Sequence, residues 1–149
     1  MAVHQLSLFV ENRSGTLRGP CDALARAGVD ILTASLADTE RFGVLRLVVD
    51  DPDRAREALE ATGAVVQVTE VVVVEVDDRP GGLSAALTAI DGVGMGVEYL
   101  YAFGGGPRPG KAAIVFRFED PARAAAAIRE RGLRVLEAAD LVRAGPAKR

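Results

Sequence analysis

Alternating apolar and polar positions open the chain and predict a strand followed by a helix. Val3–Val10 alternates in this way, and because Phe9 makes the second face partly apolar, we expect a central strand. Residues 16–27 then carry apolar side chains at helical spacing. The predicted inward stripe comprises Leu17, Cys21, Leu24 and Ala27. Gly28 is predicted to end the helix as a left-handed cap.

A hairpin, a second helix and a closing strand are predicted next. Residues 30–37 and 42–50 are typical of two strands, and their short polar link favours an antiparallel hairpin. The second of these strands presents Leu45, Leu47 and Val49 on one face. Asp51-Pro52 predicts a helix start, since the carboxylate caps free N–H groups and proline suits the first helical position. Gly63 is predicted to end this helix, and residues 65–69 to form a short strand.

The same pattern then begins again at Val71. The stretch 11–17, Glu-Asn-Arg-Ser-Gly-Thr-Leu, returns as residues 77–83, Asp-Asp-Arg-Pro-Gly-Gly-Leu. The repeat predicts strand 71–76, helix 82–90, strands 97–103 and 111–119, and a helix starting at Asp120-Pro121. An insertion in the second copy, Gly104–Gly110, has the composition of a mobile loop.

Each copy has the order strand, helix, strand, strand, helix, strand. A right-handed crossover places the first and third strands side by side in a four-stranded antiparallel sheet with both helices on one face. We therefore predict an α+β fold of two ferredoxin-like βαββαβ units in tandem, with domains at 1–70 and 71–143 and a flexible tail at 144–149. The other sheet face is expected to be polar. Because Val44, Val48 and Val115 fall on it, part of that face is expected to pack against the other copy or a second chain.

Composition narrows the classes of partner. The chain has 149 residues and a formal charge of −3, which gives no basic footprint for nucleic acid. No apolar stretch approaches the roughly 20 residues of a membrane helix, and the start lacks the pattern of a secretory signal. One cysteine fits a reducing compartment. We expect a cytoplasmic protein that engages neither nucleic acid nor membrane.

Catalytic and metal chemistry are poorly supported. His4 is the only histidine and Cys21 the only cysteine, so no nucleophile with its base can be assembled. His4 is predicted to lie on the surface of its strand, and Cys21 in the core. Asp50-Asp51 and Asp77-Asp78 lie at strand-to-helix junctions, where capping accounts for them. Neither a catalytic residue, a metal site nor a cofactor is predicted.

The paired glycine turns remain as candidate binding sites. A turn that opens a helix directs backbone N–H groups at whatever lies in front of it and suits a carboxylate. Nearby carbonyl or carboxamide oxygens suit an ammonium group, and a free amino acid carries both groups. The simpler interpretation, in which glycine only permits a tight turn, stays open.

Both turns resemble those of a tandem ACT-domain protein. The likeness is carried by 11–17 and 78–83 and continues through Gly28–Ile31, Ala37–Thr39, Phe42–Arg46, Asp50–Pro52 and Glu98–Phe103. The resemblance implies small regulatory domains of ferredoxin-like topology that bind amino acids where two domains meet. In that family the pocket is formed by the turn after the first strand and by the start of the second strand of the neighbouring domain.

Carried over to this sequence, the resemblance implies two sets of ligand-binding residues. The turn residues are Asn12, Arg13, Ser14, Gly15, Thr16 and Leu17 in the first copy, and Asp78, Arg79, Pro80, Gly81, Gly82 and Leu83 in the second. The facing strand residues are Asp30, Ile31 and Leu32, and Val97, Glu98 and Tyr99. Since Asp78 occupies the position equivalent to Asn12, and Gly82 the position equivalent to Thr16, the two sites need not bind equally.

Three functional hypotheses follow. The first is a non-catalytic regulatory or sensor protein, homodimeric, that holds a free amino acid at the interface of ACT-like domains. Most ACT domains regulate an attached enzyme, and because this chain has no room for one, a separate metabolic enzyme or regulator is expected as partner. The second is an interaction module that assembles with such a partner without binding ligand. The third is a small isomerase or cyclase that uses Arg13 and Arg79.

Overall fold

The chain divides into two compact units. In this computed structural model residues 1–38, 40–103 and 106–143 are described. The first unit is His4–Thr69, and the second comprises the chain from Glu70 onwards together with Met1–Val3. The predicted flexible tail at 144–149 lies outside the described residues, as do Gly104 and Gly105 of the predicted loop.

The elements follow the predicted order, apart from a last helix at Ala138–Arg143 that was not predicted. The chain forms β1 (Val3–Glu11), α1 (Arg18–Arg26), β2 (Ile31–Asp38), β3 (Phe42–Val49), α2 (Pro52–Glu60), β4 (Gln67–Asp77), α3 (Gly82–Asp91), β5 (Tyr99–Ala102), β6 (Lys111–Arg117), α4 (Pro121–Glu130), β7 (Val135–Leu136) and α5 (Ala138–Arg143). Where the sequence predicts separate strands at 65–69 and 71–76, β4 is uninterrupted. No glycine or proline breaks the run from Gln67 to Asp77, so no turn forms there.

In the first unit the strand order is β2-β3-β1, and both pairings are antiparallel. Leu45 of β3 lies opposite Leu8 on one side and Leu36 on the other. The predicted inward faces of β1 and β3 are confirmed. The core contains Leu6, Leu8, Val10, Leu24, Leu45, Leu47, Val49, Ala55 and Leu59. Both helices of this unit therefore pack on the same face of its sheet.

In the second unit the order is β5-β6-β4, with β7 antiparallel to β4. Val74 of β4 lies opposite Ile114 of β6. The core contains Val72, Val74, Val76, Ala86, Ile90, Ile114, Phe116, Phe118, Ala124 and Ile128. The predicted fold class, tandem ferredoxin-like units with helices on one face, is confirmed.

Local signals account for the start of two helices. Asp51 accepts a hydrogen bond from the Arg54 N–H at 3.1 Å, with Pro52 in the first turn. Asp120 accepts the equivalent bond from the Arg123 N–H, also at 3.1 Å. These carboxylates act as helix caps, as predicted.

The predicted core position of Cys21 is wrong. The thiol is exposed, and the buried residues of α1 are Ala23 and Leu24. Because α1 begins only at Arg18, its first turn lies outside the core. For the same reason Leu17, predicted on the inward stripe, is 39% exposed. His4 is exposed, as predicted.

The sheet face away from the helices was expected to be polar, but it contains buried apolar residues. Val48 and Val115 are 2% and 0% exposed, respectively. Gln5 and Glu75 are also buried. Among the described residues, no helix is both long and apolar enough to cross a membrane.

Candidate functional site

A pocket of about 340 Å³ lies at the turn after β1 in the first unit. Its walls come from the end of β1, the turn into α1, and the adjoining ends of β2 and β3. The lining residues are Val10, Glu11, Asn12, Arg13, Ser14, Gly15, Thr16, Leu17, Leu36, Asp38 and Gly43. We call this cavity the first-turn pocket. It brings together every turn residue named from the sequence in the first copy.

Hydrogen bonds fix the turn that forms this pocket. The Thr16 hydroxyl lies 2.6 Å from the Glu11 carbonyl oxygen and 2.9 Å from that of Arg13. The Arg13 N–H also donates to the Glu11 carbonyl at 2.9 Å. Gly15 has a φ of +88°, and a Cβ added there would meet no atom within 4 Å. The backbone at Gly15 is therefore open on its Cα side.

Helix α1 presents its positive end beside the pocket. Leu17 is the N-cap residue, supplies no side-chain cap, and is followed by no acidic residue in the first turn. The first N–H groups of a helix have no acceptor within the helix, and they carry a partial positive charge. An anionic group in the pocket would therefore be stabilised at this end.

The pocket also contains carboxylates and apolar surface. Arg13 Nε lies 2.8 Å from the Glu11 carboxylate, and Asp38 adds a second negative charge. Leu36 is 50% exposed. Gly43 is packed so closely that an added Cβ would lie 2.7 Å from Leu36 Cδ1. The pocket thus offers a polar end and an apolar wall.

Sequence reasoning missed five lining residues, all of which belong to strands: Val10, Glu11, Leu36, Asp38 and Gly43. The predicted contacts of this copy were the turn residues and residues 30–32. The register of the sheet explains their position, since Gly43 pairs with Val10 on one side and Asp38 on the other. The predicted hairpin already contained this signal, because residues flanking its link must lie beside the end of β1.

Asp30, Ile31 and Leu32 do not line the first-turn pocket. They lie at the start of β2, whereas the pocket lies at its end. The Asp30 N–H donates to Asp50 Oδ1 at 2.9 Å, and Ile31 pairs with Val49 of β3. Asp30 and Ile31 therefore hold β2 to β3 within the first unit.

The second turn has the same backbone bend but different surroundings. Gly81 has a φ of +87°, close to that of Gly15. The Asp78 N–H donates to the Gly110 carbonyl at 3.0 Å, and Arg79 Nη2 lies 3.2 Å from Asp77. Pro80 completes the turn, and Leu83 follows in α3 with 36% exposure.

Gly82 lines a separate cleft of about 260 Å³, which we call the β4 cleft. The lining residues are Glu75, Val76, Asp77, Gly82, Ala85, Ala86, Arg108, Lys111, Gly132, Leu133 and Arg134. Val97, Glu98 and Tyr99 do not line it. Val97 packs against the core, the Glu98 N–H donates to the Arg117 carbonyl at 2.9 Å, and Tyr99 pairs with Arg117 in the sheet.

A buried carboxylate, that of Glu75, lines the β4 cleft. The Glu75 side chain is 3% exposed and forms ion pairs with Arg108 and Arg134. Arg108 Nε donates to Glu75 Oε2 at 3.1 Å, and Arg134 Nη1 donates to the same oxygen at 2.9 Å. Arg108 belongs to the segment predicted as a mobile loop, so the described part of that segment is anchored. In the sequence, the only sign of this ion-pair network was Glu75, a charged residue within the apolar run 71–76.

Two carboxyl groups of the cleft have lowered pKa values. The hydrogen bond from Arg108 contributes most to lowering the pKa of Glu75; burial opposes it, and Arg134 adds to it. For Asp77 the hydrogen bond and charge of Lys111 lower the pKa, with a smaller contribution from Arg79. Both groups are therefore held in their ionised form.

Glu75→Gln is expected to make stability less dependent on pH in acid. Because folding lowers the pKa of Glu75, its contribution is present above the ordinary value of about 4.3. It is lost as the pH falls through the lowered folded value. At pH 7 the free energy of unfolding of the variant should fall by about 1 to 2 kcal/mol, since the charge-assisted hydrogen bonds from two partly exposed arginines are weakened. Urea unfolding across a pH series measures both quantities.

The control for this prediction is Glu130→Gln, a substitution at an exposed position of α4. It removes the same charge outside the cleft. The difference in free energy of unfolding between wild type and Glu75→Gln should narrow below about pH 4. A difference that stays constant from neutral pH into acid would contradict the lowered pKa assigned to Glu75.

Two ferredoxin-like units in one chain, each with a glycine turn leading into its first helix, define the tandem ACT type of regulatory fold. The chain belongs to the ACT domain pair family, whose model matches residues 1–144. The predicted resemblance is thereby confirmed.

Solved structures agree with this assignment. A protein from Bacteroides thetaiotaomicron is 32% identical, with a TM-score of 0.86 over 95% of this chain and 96% of that one. The regulatory subunit of aspartate kinase from Thermus thermophilus, in ligand-free form, is 16% identical with a TM-score of 0.64, covering 87% and 92%. Its counterpart from Thermus flavus is 18% identical with a TM-score of 0.59, covering 89% and 94%. At these identities, the two Thermus proteins show that this chain shares their fold. A search of curated proteins gave no match.

Proposed function

We propose that this chain is a non-catalytic regulatory protein that binds a free amino acid in the first-turn pocket. The observation that supports this proposal is the pocket of about 340 Å³ between an uncapped helix start, two carboxylates and an apolar wall. Its volume falls in the range of small-molecule sites, about 300 to 1,000 Å³. Each part of an amino acid would have a matching surface there.

The ligand carboxylate is assigned to the backbone around Gly15 and the positive end of α1. Gly15 has no side chain to obstruct the approach, and helix starts favour anions. The ammonium group is assigned to Glu11 and Asp38, which face the same cavity. The ligand side chain would lie along Leu17 and Leu36, which are 39% and 50% exposed. This arrangement favours an apolar side chain.

The regulatory role is an analogy with proteins of similar fold. Two of the similar structures are regulatory subunits of aspartate kinase. By this analogy the partner is a separate metabolic enzyme or regulator. The chain is proposed to form a homodimer in which a domain of the second copy closes the pocket, through residues 30–32 or 97–99. Ligand would then favour the closed arrangement, because binding shifts the population toward the state with higher affinity.

Isothermal titration calorimetry against each standard amino acid tests the proposal. A saturable signal is expected for one or a few ligands. Gly15→Val should weaken binding by at least about tenfold, since a β-branched side chain would fill the approach to the backbone. A chain that gives no heat and no shift in melting temperature with any amino acid would contradict amino-acid binding.

Gly81→Val is the matched control for the second turn. Gly15 and Gly81 have φ values of +88° and +87°, and neither has an atom within 4 Å of an added Cβ. Both substitutions therefore impose the same backbone strain. Of these two glycines, only Gly15 lines the first-turn pocket. Equal loss of binding in both variants would contradict the proposed location.

An assembly module without ligand is the second candidate function. Exposed apolar side chains favour it: Phe9 is 73% exposed and Phe42 is 46% exposed on neighbouring strands β1 and β3. Exposed apolar clusters mark interaction surfaces. Under this alternative, Phe9→Ser would weaken self-association in analytical ultracentrifugation, and amino acids would not change the oligomeric state. Ligand-dependent association would favour the first proposal.

A further inference from the structure

The β4 cleft has the geometry of an anion site that is separate from the first-turn pocket. It lies along the edge of β4 beyond the point where β7 ends, since β7 pairs only with Val73 and Val74. Residues of α3 and of the turn at 132–134 form its other walls. Its volume, about 260 Å³, suits a ligand smaller than a typical drug.

The two cavities differ in the sign of their charge. The first-turn pocket contains Glu11, Arg13 and Asp38, which leaves one excess negative charge. Counted over its lining residues alone, the β4 cleft has Arg108, Lys111 and Arg134 against two carboxylates, one excess positive charge. Asp140, outside the lining, also pairs with Arg134 at 3.3 Å. The lining of the β4 cleft therefore favours an anionic ligand, whereas the first-turn pocket favours an anionic group only at the start of α1.

Glu75 positions two arginines on the same cleft. One guanidinium would neutralise its charge, yet Arg108 and Arg134 both bind it, from positions 33 and 59 residues away in the sequence. Arg108 uses Nε and Nη2 on Glu75, and Arg134 uses Nη1 on Glu75 and Nη2 on Asp140. Because a guanidinium has five N–H donors, both arginines still keep donors for a further group. Their side chains remain 55% and 40% exposed. Fixed, partly exposed arginines are suited to bidentate binding of carboxylate or phosphate.

The start of α3 adds to the positive potential. Gly82, the first residue of α3, lines the cleft. The N-cap residue Gly81 supplies no side-chain cap, and the first turn has no acidic residue. The partial positive charge of the helix start therefore reinforces the charges of Arg108, Lys111 and Arg134.

We propose that the β4 cleft binds a small dianion, either a phosphomonoester or a dicarboxylate, through Arg108, Lys111 and Arg134. The ligand would bridge the two arginines held by Glu75 and approach the start of α3. Because this cavity shares no residue with the first-turn pocket, a chain with both sites would respond to two chemically different metabolites.

Titration of the full chain with inorganic phosphate and with succinate, at constant ionic strength, tests this proposal. Calorimetry and melting temperature should show saturable binding of at least one dianion, and acetate should bind more weakly. Binding of phosphate alone would identify a phosphomonoester site, and binding of succinate alone a dicarboxylate site. Absence of saturable binding for both dianions would overturn the proposal.

Charge-matched variants separate a specific site from a general salt effect. Arg108→Gln should weaken dianion binding by about tenfold or more, because it removes a charge-assisted hydrogen-bond donor. Lys111→Gln gives a second variant that leaves the two arginines on Glu75. Arg123→Gln removes the same charge from an exposed position of α4 and should leave binding unchanged. Equal effects of Arg108→Gln and Arg123→Gln would overturn the site. Gly15→Val should not alter dianion binding.

Discussion

Gly82→Ala is expected to cost about 3 kcal/mol or more of the free energy of unfolding, or to prevent the second unit from folding. An added Cβ would lie 1.9 Å from the carbonyl oxygen of Asp77 and 3.0 Å from its carbonyl carbon. These are backbone atoms at the end of β4, where Asp77 pairs with Lys111 of β6. Since a paired backbone cannot move aside as a flexible side chain can, the clash must displace α3 or disrupt the strand.

Urea unfolding followed by circular dichroism measures this loss. Gly19→Ala is the matched control, because Gly19 is also in the first turn of a helix and an added Cβ there meets nothing within 4 Å. It should change the free energy of unfolding by less than about 1 kcal/mol, since alanine is the better helix former but Pro20 disfavours a helical backbone at a preceding residue with a Cβ. Equal stability of the two variants would show that α3 tolerates a side chain at its start.

Phe116→Ala is expected to cost about 3 to 5 kcal/mol, because it leaves a cavity in the core of the second unit. Phe116 is 0% exposed. Its ring stacks on Phe118, with centroids 6.0 Å apart and planes inclined by 21°. The loss in free energy of unfolding therefore combines the loss of buried apolar surface, of packing contacts and of the aromatic pair with Phe118.

Phe9→Ala makes the same chemical change on a strand surface, where the side chain is 73% exposed. It should change the free energy of unfolding by less than about 0.5 kcal/mol. Chemical denaturation of both variants at low protein concentration gives the comparison. A loss for Phe9→Ala as large as that for Phe116→Ala would mean that Phe9 is buried in solution, as an interface between copies would require.

Periodicity and turn residues were enough to predict the repeated fold. The Asp-Pro helix starts, the glycine turns and the alternating strands each have a local cause, so the sequence contains them directly. The break predicted between strands 65–69 and 71–76 was wrong, because strand periodicity does not show whether two apolar runs form one strand when no turn residue lies between them. Cys21 was misplaced because helical spacing shows which face is apolar, but not how far the core extends along the helix.

The candidate site was predictable only in part. The turn at 11–17 was found from its repeat, and the structure surrounds it with a pocket. The network of Glu75 with Arg108 and Arg134 joins residues that are distant in the sequence, and no periodic pattern relates such positions. Its detection requires the folded positions of β4, β7 and the segment before β6.

The exposed thiol of Cys21 makes this chain suitable for fluorescence labelling at a single site. It is the only cysteine in the sequence, so a maleimide dye would attach at one position without further substitutions. The backbone N–H of Cys21 donates to the carbonyl of Leu17 at 3.4 Å, one helical turn from the first-turn pocket. A dye at this position would report movement of the start of α1 as each candidate metabolite is added.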